Sequence, residues 1–252
     1  MKKSIFLLLS LFLPLISFST TTYTVGAAGS YTTIASAYAA CTGSTDYVIE
    51  IRSDYSLESL PISLGTLSNK SLVNTVTIRP QTAVSPTWST SNGTSIFTLN
   101  GADYVIFDGR AGGSGSSVWS IQNTSTGSGA DVFLIQSDAR YNTIKYLTLK
   151  GSGTGTGAPI GFGSSASGGN TNNTISNNNI TKSTGGTPAY GIYSYGSSVA
   201  NNNSSTTISD NNFYDLGEGD WCAPVLYLIL IIGLLQIIVF TKLQILLYHQ
   251  LT

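Results

Sequence analysis

The segments NTIKYLTLKG (142–151), NTISNNNITK (173–182) and TTISDNNFYD (206–215) are three versions of one pattern. Each has an isoleucine after a threonine, and another apolar residue follows that isoleucine five positions later. The isoleucines are 31 and then 33 residues apart. A unit this short cannot bury an apolar face alone, but stacked copies can. The pattern therefore predicts a solenoid with the core positions Ile144, Leu149, Ile175, Ile180, Ile208 and Phe213.

Further strands are predicted upstream of this pattern. Roughly a dozen residues before the three isoleucines lie the aromatic residues Phe133, Phe162 and Tyr193, each in a short strand-like run. Runs of β-branched and apolar residues at 47–51 and 76–79 predict two earlier strands. The segment 95–110 fits the repeat with a shorter spacing. Brief strands therefore extend along most of the chain.

The stretch TTIASAYAA (32–40) is the one early segment with helix-forming composition. Thr32 or Thr33 is a suitable N-cap, because a threonine hydroxyl accepts a hydrogen bond from a free backbone N–H of the first turn. A short helix is therefore predicted ahead of the repeats.

Asparagine recurs where the repeats turn. Identical amides stacked on successive coils can bond to one another as a ladder, and asparagine tolerates the left-handed backbone of tight turns. We therefore interpret these asparagines as structural rather than ligand-binding. The predicted ladder residues are Asn177, Asn178, Asn179, Asn211 and Asn212.

Several phrases together resemble a known family. They are YTVGAAGSYTTIASAYAAC (23–41), VTIRPQ (76–81), FTLNGADYVIFDGR (97–110) and the coils that end at TISDNNFYDL. The chain is similar over about residues 22–216 to the right-handed parallel β-helix of the pectin-lyase-like class, found in large secreted bacterial surface proteins. The L-x-x-L-x-L pattern of a leucine-rich horseshoe is absent. The resemblance implies an all-β, right-handed parallel β-helix solenoid with a short N-terminal capping helix.

The N-terminus and the charge predict export. Lys2 and Lys3 precede an apolar run over 5–18, so residues 1–19 have the pattern of a secretory signal peptide. We expect an extracellular or cell-surface protein. Without those lysines, 9 basic residues face 12 acidic ones and no basic patch exists, which argues against nucleic acid as a partner. The 2 cysteines provide no disulfide framework.

The C-terminal tail has two interpretations. Residues 222–240 are almost wholly apolar and long enough for a transmembrane helix, which would give a membrane-anchored β-helix. Alternatively the tail is out of frame, because an asparagine codon read one base late encodes isoleucine. The run LLQIIVFTK (234–242) can be encoded so that a shifted frame reads IANNSFYQ, another coil. We expect a β-helix over 20–220, an out-of-frame tail over 221–252, and a longer native chain.

The sequence offers little for catalysis. Its one histidine, His249, lies in the tail, so histidine-based triads and metal sites have no support. The resemblance implies two enzyme chemistries: clustered aspartates with Ca²⁺ and a basic residue in lyases, or paired aspartates in hydrolases. No carboxylate pair recurs at matching coil positions, so we expect no enzyme, and Ca²⁺ only for a lyase. The candidates considered are Asp103, Asp108, Arg110, Asp138, Arg140 and Lys145, of which Asp108, Asp138 and Arg140 are kept as catalytic candidates.

Tyrosines near the last repeats are candidates for binding sugar rings. The residues are Tyr190, Tyr193, Tyr195 and Tyr214, of which Tyr193, Tyr195 and Tyr214 are kept as ligand-binding candidates. We expect a structural, adhesive or glycan-contacting role, with extracellular polysaccharide or cell-surface components as partners. The alternatives are a polysaccharide lyase or hydrolase, and a membrane-anchored β-helix if the tail is genuine. No cofactor is predicted.

Overall fold

The computed structural model describes residues 19–195 and 201–216, together with the backbone of Leu226–Leu228 and Val239–Ile245. Within these residues the chain is a parallel β-solenoid of about five turns, mostly β with one short α-helix. The predicted fold class is therefore confirmed. The predicted signal peptide lies outside the described residues except for Ser19.

The strands are short, as the sequence pattern predicts. In chain order they are β1 (Thr20–Val25), β2 (Asp46–Ile51), β3 (Ile62–Gly65), β4 (Val76–Pro80), β5 (Thr87–Thr90), β6 (Phe97–Asn100), β7 (Val105–Asp108), β8 (Trp119–Asn123), β9 (Phe133–Gln136), β10 (Thr143–Lys145), β11 (Leu147–Gly151), β12 (Ile160–Phe162), β13 (Thr174–Ser176), β14 (Asn179–Lys182), β15 (Ile192–Ser194), β16 (Thr207–Phe213), β17 (Leu226–Leu228) and β18 (Val239–Ile245). Helix α1 (Ile34–Ala39) follows β1, and a 3-10 turn (Ala111–Gly113) follows β7.

The strands form three faces, and neighbours within each face are parallel. Face A contains β1, β2, β4, β7, β10, β13 and the first half of β16; face B contains β5, β8, β11, β14 and the second half of β16; face C contains β3, β6, β9, β12 and β15. Each turn runs from face C to face A to face B, so that turn 1 is β3–β5 and turn 5 is β15 and β16. We name the connections corner C–A, corner A–B and corner B–C.

The core lies inside the three faces. Alternate residues of each strand point inward, so the same positions of successive turns pack on one another. Phe97 and Phe133 stack with ring centroids 5.0 Å apart, and Phe107 contacts both rings edge-on. The six predicted core residues are all buried, and their strands pair in two columns: Ile144, Ile175 and Ile208 on face A, and Leu149, Ile180 and Phe213 on face B.

Corner A–B is a tight turn in the last three turns of the solenoid. Tyr146, Asn177 and Asp210 adopt left-handed backbone with φ of 56°, 57° and 55°. Asn177 therefore occupies the corner position rather than an amide ladder. In turn 2 this corner is the longer segment 109–118, which explains why 95–110 fits the repeat loosely.

An amide ladder lies directly after this corner. Asn178 Oδ1 accepts the backbone N–H of Leu147 at 3.0 Å, and Asn211 Oδ1 accepts both the backbone N–H and Nδ2 of Asn178. Both asparagines are buried. Asn212 Nδ2 donates to Asn179 Oδ1 at 3.3 Å, on the outer side of face B. Successive turns are thus joined by side chains as well as by backbone.

Corner C–A contains two more buried ladders that the sequence reasoning missed. Asn173 Oδ1 accepts the backbone N–H and Nδ2 of Asn142, at 2.9 and 3.1 Å. Asn203 Oδ1 accepts the same two groups of Asn170, at 3.1 and 2.7 Å. These bonds satisfy polar groups that face the interior and cannot reach water.

The predicted capping helix is present. The Thr33 hydroxyl accepts the backbone N–H of Ser36 at 3.1 Å, so Thr33 is the N-cap. Glu58 Oε1 accepts the N–H of Ile34 at 2.7 Å, and the Tyr38 hydroxyl donates to the Gly65 carbonyl. Because α1 contacts β1, β2 and β3, it covers the N-terminal end of the core.

The described residues contain no helix long and apolar enough to cross a membrane. The membrane helix predicted for 222–240 lies outside them, except for Leu226–Leu228 and the first two residues of β18, which are strand. β17 pairs with β15, and β18 pairs with β16. The predicted frame change over 221–252 stays a prediction.

Candidate functional site

The outer surface of face A has a central column of β-branched side chains. The paired residues are Thr22, Val48, Thr77, Ile106, Thr143, Thr174 and Thr207. Adjacent strands are about 4.7–4.9 Å apart, and branched side chains pack well on a pleated surface. Six members are partly buried and Thr22 is exposed. The column therefore forms a regular shelf along the solenoid axis.

A stacked tyrosine pair borders this shelf at corner C–A. The rings of Tyr104 and Tyr141 have centroids 4.9 Å apart and are 1° from parallel. Both residues adopt left-handed backbone with φ of 58°, one residue before the face A strand of turn 2 and two residues before that of turn 3. Tyr141 is 41% exposed. In the stack each ring covers one face of the other, so the exposed part of the pair beside Ile106 and Thr143 is mainly the Tyr141 ring.

Exposed apolar side chains are concentrated at the same corner. Within the described residues, the large hydrophobic side chains that are exposed are Leu72, Val73, Tyr141 and Tyr195. All four belong to segments that join face C to face A. Leu72 and Val73 lie in a turn closed by hydrogen bonds between Ser71 and Asn74. They belong to the connections of turns 1, 3 and 5, so the exposed apolar residues are all on one corner of the solenoid.

Asp108 lies on the opposite side of the shelf, in an ion-pair cluster. Arg110 donates from its backbone N–H, Nε and Nη2 to the Asp108 carboxylate, and Lys145 Nζ lies 3.5 Å from Asp108 Oδ2. The Arg110 guanidinium packs 4.0 Å from the centre of the Tyr146 ring. Burial raises the pKa of Asp108, but the hydrogen bonds from Arg110 and the charge of Lys145 outweigh it and lower that pKa.

Opposite charges alternate along this column of face A. Arg79 donates to Glu50 Oε1 at 2.9 Å, and the register places Arg79 between Glu50 and Asp108. Lys145 is paired with Asp108 on the next strand. Because every charge has an opposite neighbour, the column stabilises the stacking of turns. Asp108 is therefore held as a structural anion rather than as a general acid.

Asp138 and Arg140 lie together at corner C–A. Arg140 Nη2 is 3.3 Å from Asp138 Oδ1, and Asp138 also accepts the backbone N–H of Ser167. Arg140 donates from Nε to the Gly169 carbonyl and from its backbone N–H to Asp103 Oδ1. These bonds join turn 3 to the corner C–A connections of turns 2 and 4. Both candidates are thus engaged in holding the corner.

The fold brings together two of the three tyrosines predicted to bind ligand, Tyr193 and Tyr195, and places Tyr214 elsewhere. Tyr193 is only 7% exposed and packs against Tyr190 and Tyr195, with centroids 5.2 and 5.9 Å away. Tyr195 is 39% exposed at corner C–A. Tyr214 follows β16 beyond face B and is partly buried. Of the three, Tyr195 presents the largest exposed fraction.

A buried carboxyl group at corner B–C was missed by the sequence reasoning. Asp131 is 5% exposed, and its Oδ1 accepts the backbone N–H of Ala158 at 2.8 Å. Burial raises its pKa to about 7. No motif marks Asp131, because its environment is built by segments from three turns.

The predicted carboxylates Asp108 and Asp138 are both committed to cations, and across the described chain no group of three or more His, Cys, Asp or Glu side chains is arranged to hold a metal ion. No family model, curated protein or solved structure matches this chain.

Proposed function

We propose that this chain is an exported, surface-exposed β-solenoid that contacts glycans without catalysing a reaction on them. The observation that carries the proposal is the Tyr104–Tyr141 stack, with Tyr141 41% exposed at the border of the face A shelf. An aromatic ring is an apolar platform with a polar hydroxyl at its edge. Such a platform suits a sugar, which presents C–H groups on one side and hydroxyls around its rim.

Polar groups on either side of the shelf supply the remaining contacts. Lys145 has three N–H donors and approaches Asp108 with its ammonium, so it retains donors for a bound hydroxyl. Thr143 lies between Tyr141 and Lys145 along the chain, and Thr174 is paired with Thr143 on the next strand. From residue 141 to 145 the surface extends roughly 13 Å at about 3.3 Å per residue. This length favours a chain of sugars over a single ring.

The same proposal includes the structural class of the solenoid and the location of the protein outside the cell. We infer a right-handed coil of the pectin-lyase-like class, supported by the phrases 76–81 and 97–110 and by the three-faced parallel architecture. Export is supported by the signal-like pattern of residues 1–19. The expected partners are extracellular polysaccharides or cell-surface components.

The test is binding of the full chain to an array of soluble and insoluble polysaccharides, followed by the variant Tyr141→Ala. Loss of an aromatic contact of about 1.5 kcal/mol weakens binding roughly tenfold. Tyr195→Ala is the matched control, since it removes another exposed tyrosine at the same corner. We expect Tyr141→Ala to weaken binding and Tyr195→Ala to leave it near the wild-type value.

Three results would contradict this proposal. The first is no binding to any glycan. The second is a loss of glycan binding in Tyr195→Ala but not in Tyr141→Ala, which would place the site at Tyr195. The third is release of new sugar chain ends from a bound polysaccharide, which would indicate the lyase or hydrolase alternative. Circular dichroism of both variants establishes that each remains folded.

A further inference from the structure

Asp131 connects three successive turns at corner B–C. Its backbone carbonyl accepts the N–H of Ile96 at 3.1 Å and Asn123 Nδ2 at 3.0 Å, both from turn 2. Its carboxyl group accepts the N–H of Ala158, which leads into turn 4. A change in this carboxyl group therefore acts on the contact between turns 3 and 4.

The carboxyl group fills space that a glycine leaves open. A Cβ atom added to Gly161 would lie 3.0 Å from Asp131 Oδ2. Ile160 and Phe162 point into the core, so this space is on the outer side of face C. Gly161 is paired with Tyr193, which is 7% exposed. The carboxyl group thus packs against Gly161 of the next strand and is shielded from water.

Among the described residues, no cation faces this carboxyl group. The segments packed against it are 92–96, 123–130 and 157–161, and none of them contains Lys, Arg, His, Asp or Glu. The titratable groups on the following segment, 189–193, are the phenols of Tyr190 and Tyr193. An ionised Asp131 would therefore be a buried charge with one backbone N–H as its donor. Such a charge is costly, whereas the neutral acid is tolerated.

We propose that corner B–C is a pH-dependent latch, closed between turns 3 and 4 while Asp131 is neutral and loosened when Asp131 ionises. Burial raises the pKa of Asp131 from 3.8 to about 7. Because the pKa is raised on folding, the stabilisation is complete below about 3.8 and is lost as the pH rises through about 7. The latch is independent of the proposed glycan contact, which lies on face A.

Hydrogen–deuterium exchange of the full chain between pH 5 and 8 tests the latch. The protection factor of the segment 152–160, which contains Ala158, is compared in the wild type and in Asp131→Asn. Each pH unit below the raised pKa changes the opening equilibrium about tenfold. We expect wild-type protection to fall about 100-fold between pH 5 and 7, and to stay level in Asp131→Asn. The segment 143–149 at corner A–B is the internal control.

A second variant keeps the test decisive. Gly161→Ala places a methyl group against Oδ2 and forces the carboxyl group toward solvent, so the pH dependence is expected to shrink. Identical pH profiles in the wild type and Asp131→Asn would overturn the latch. If neither variant folds, a wild-type protection factor that stays level from pH 5 to 8 overturns it by itself.

Discussion

Asp108 and Asp131 are both buried carboxyl groups, 3% and 5% exposed, at two corners of the same solenoid. At corner A–B, Arg110 donates three hydrogen bonds to Asp108, and Lys145 lies 3.5 Å away. At corner B–C, Asp131 accepts the N–H of Ala158, and no cation in the described part of the chain faces it. The pKa of Asp108 is therefore lowered, whereas burial raises that of Asp131 to about 7.

The difference teaches that neighbours, rather than burial, determine the charge of a carboxyl group in this fold. Desolvation disfavours both anions, but Asp108 receives two cations and three hydrogen bonds from Arg110, whereas Asp131 receives one backbone hydrogen bond, which does not offset its burial. Corner A–B is consequently a rigid, ion-paired edge of the surface proposed to contact glycans. At corner B–C, in contrast, the proposed ionisation of Asp131 changes the packing of turns 3 and 4.

The largest expected effect is a gain in stability for Asp131→Asn at pH 8. Ionisation of a carboxyl group with a pKa of about 7 instead of 3.8 costs about 4 kcal/mol of unfolding free energy. The amide cannot ionise, so the variant avoids this cost at pH 8 and has little effect at pH 4. Urea unfolding at both pH values measures it. An equal effect at pH 4 and pH 8 would remove the contrast between the two corners.

A somewhat smaller effect is expected from the ladder at corner A–B. Asn178→Ala leaves the Leu147 N–H and the Ile144 carbonyl without their buried partner, at about 1–3 kcal/mol for each group. We expect a loss of about 3 kcal/mol. The matched control is Asn179→Ala, one residue along on the outer surface, for which we expect less than about 0.5 kcal/mol. Thermal and urea unfolding of the two variants compare them directly.

Asp108→Asn tests the ion-paired carboxyl group at corner A–B. The variant deprives Arg110 and Lys145 of their anion, and we expect a loss of about 2 kcal/mol, because both cations are partly exposed. The pKa of Asp108 is lowered on folding, so its stabilisation is present above about 3.8 and is lost as the pH falls further. Unfolding at pH 7 and pH 2.5 checks the sign. A larger loss at pH 2.5 would contradict the assignment.

The smallest expected effect comes from giving Asp131 a cation. Leu134 lies in β9, is paired with Gly161 and points outward. Leu134→Lys therefore places an ammonium group on the same outer side of face C as the Asp131 carboxyl group. An opposite charge at this range lowers the pKa of Asp131 by about 1. Leu134→Met, of similar length without charge, is the control. Carbon-13 NMR titration of the Asp131 carboxyl group in each variant follows the shift, and a pKa that does not move would show that desolvation alone governs it.

The fold class was predictable because its signal repeats locally. Ile144, Ile175 and Ile208 recur at 31 and 33 residues, and the same interval brings Asn178 and Asn211 together. The capping helix was predictable because Thr33 and a short alanine-rich run carry their own local signal. In both cases the residues that determine the structure lie within a short segment or recur at one regular interval.

The candidate site was less predictable because it depends on irregular connections. Thirty-seven residues separate Val105 from Asn142, since turn 2 contains the long corner 109–118, and this offset hid the pairing of Tyr104 with Tyr141. The raised pKa of Asp131 depends on segments that carry no charge and come from different turns. An environment defined by the lack of charged neighbours leaves no motif in the sequence.

One measurement tests the contrast between the corners most directly. Carbon-13 NMR titration of the full wild-type chain follows the carboxyl carbons of Asp108 and Asp131 in a single sample from pH 2.5 to 8.5. We predict that Asp108 titrates below 3.8 and that Asp131 titrates near pH 7. Titration of both groups on the same side of 3.8 would contradict the account, because the different neighbours of the two carboxyl groups would then not separate their pKa values.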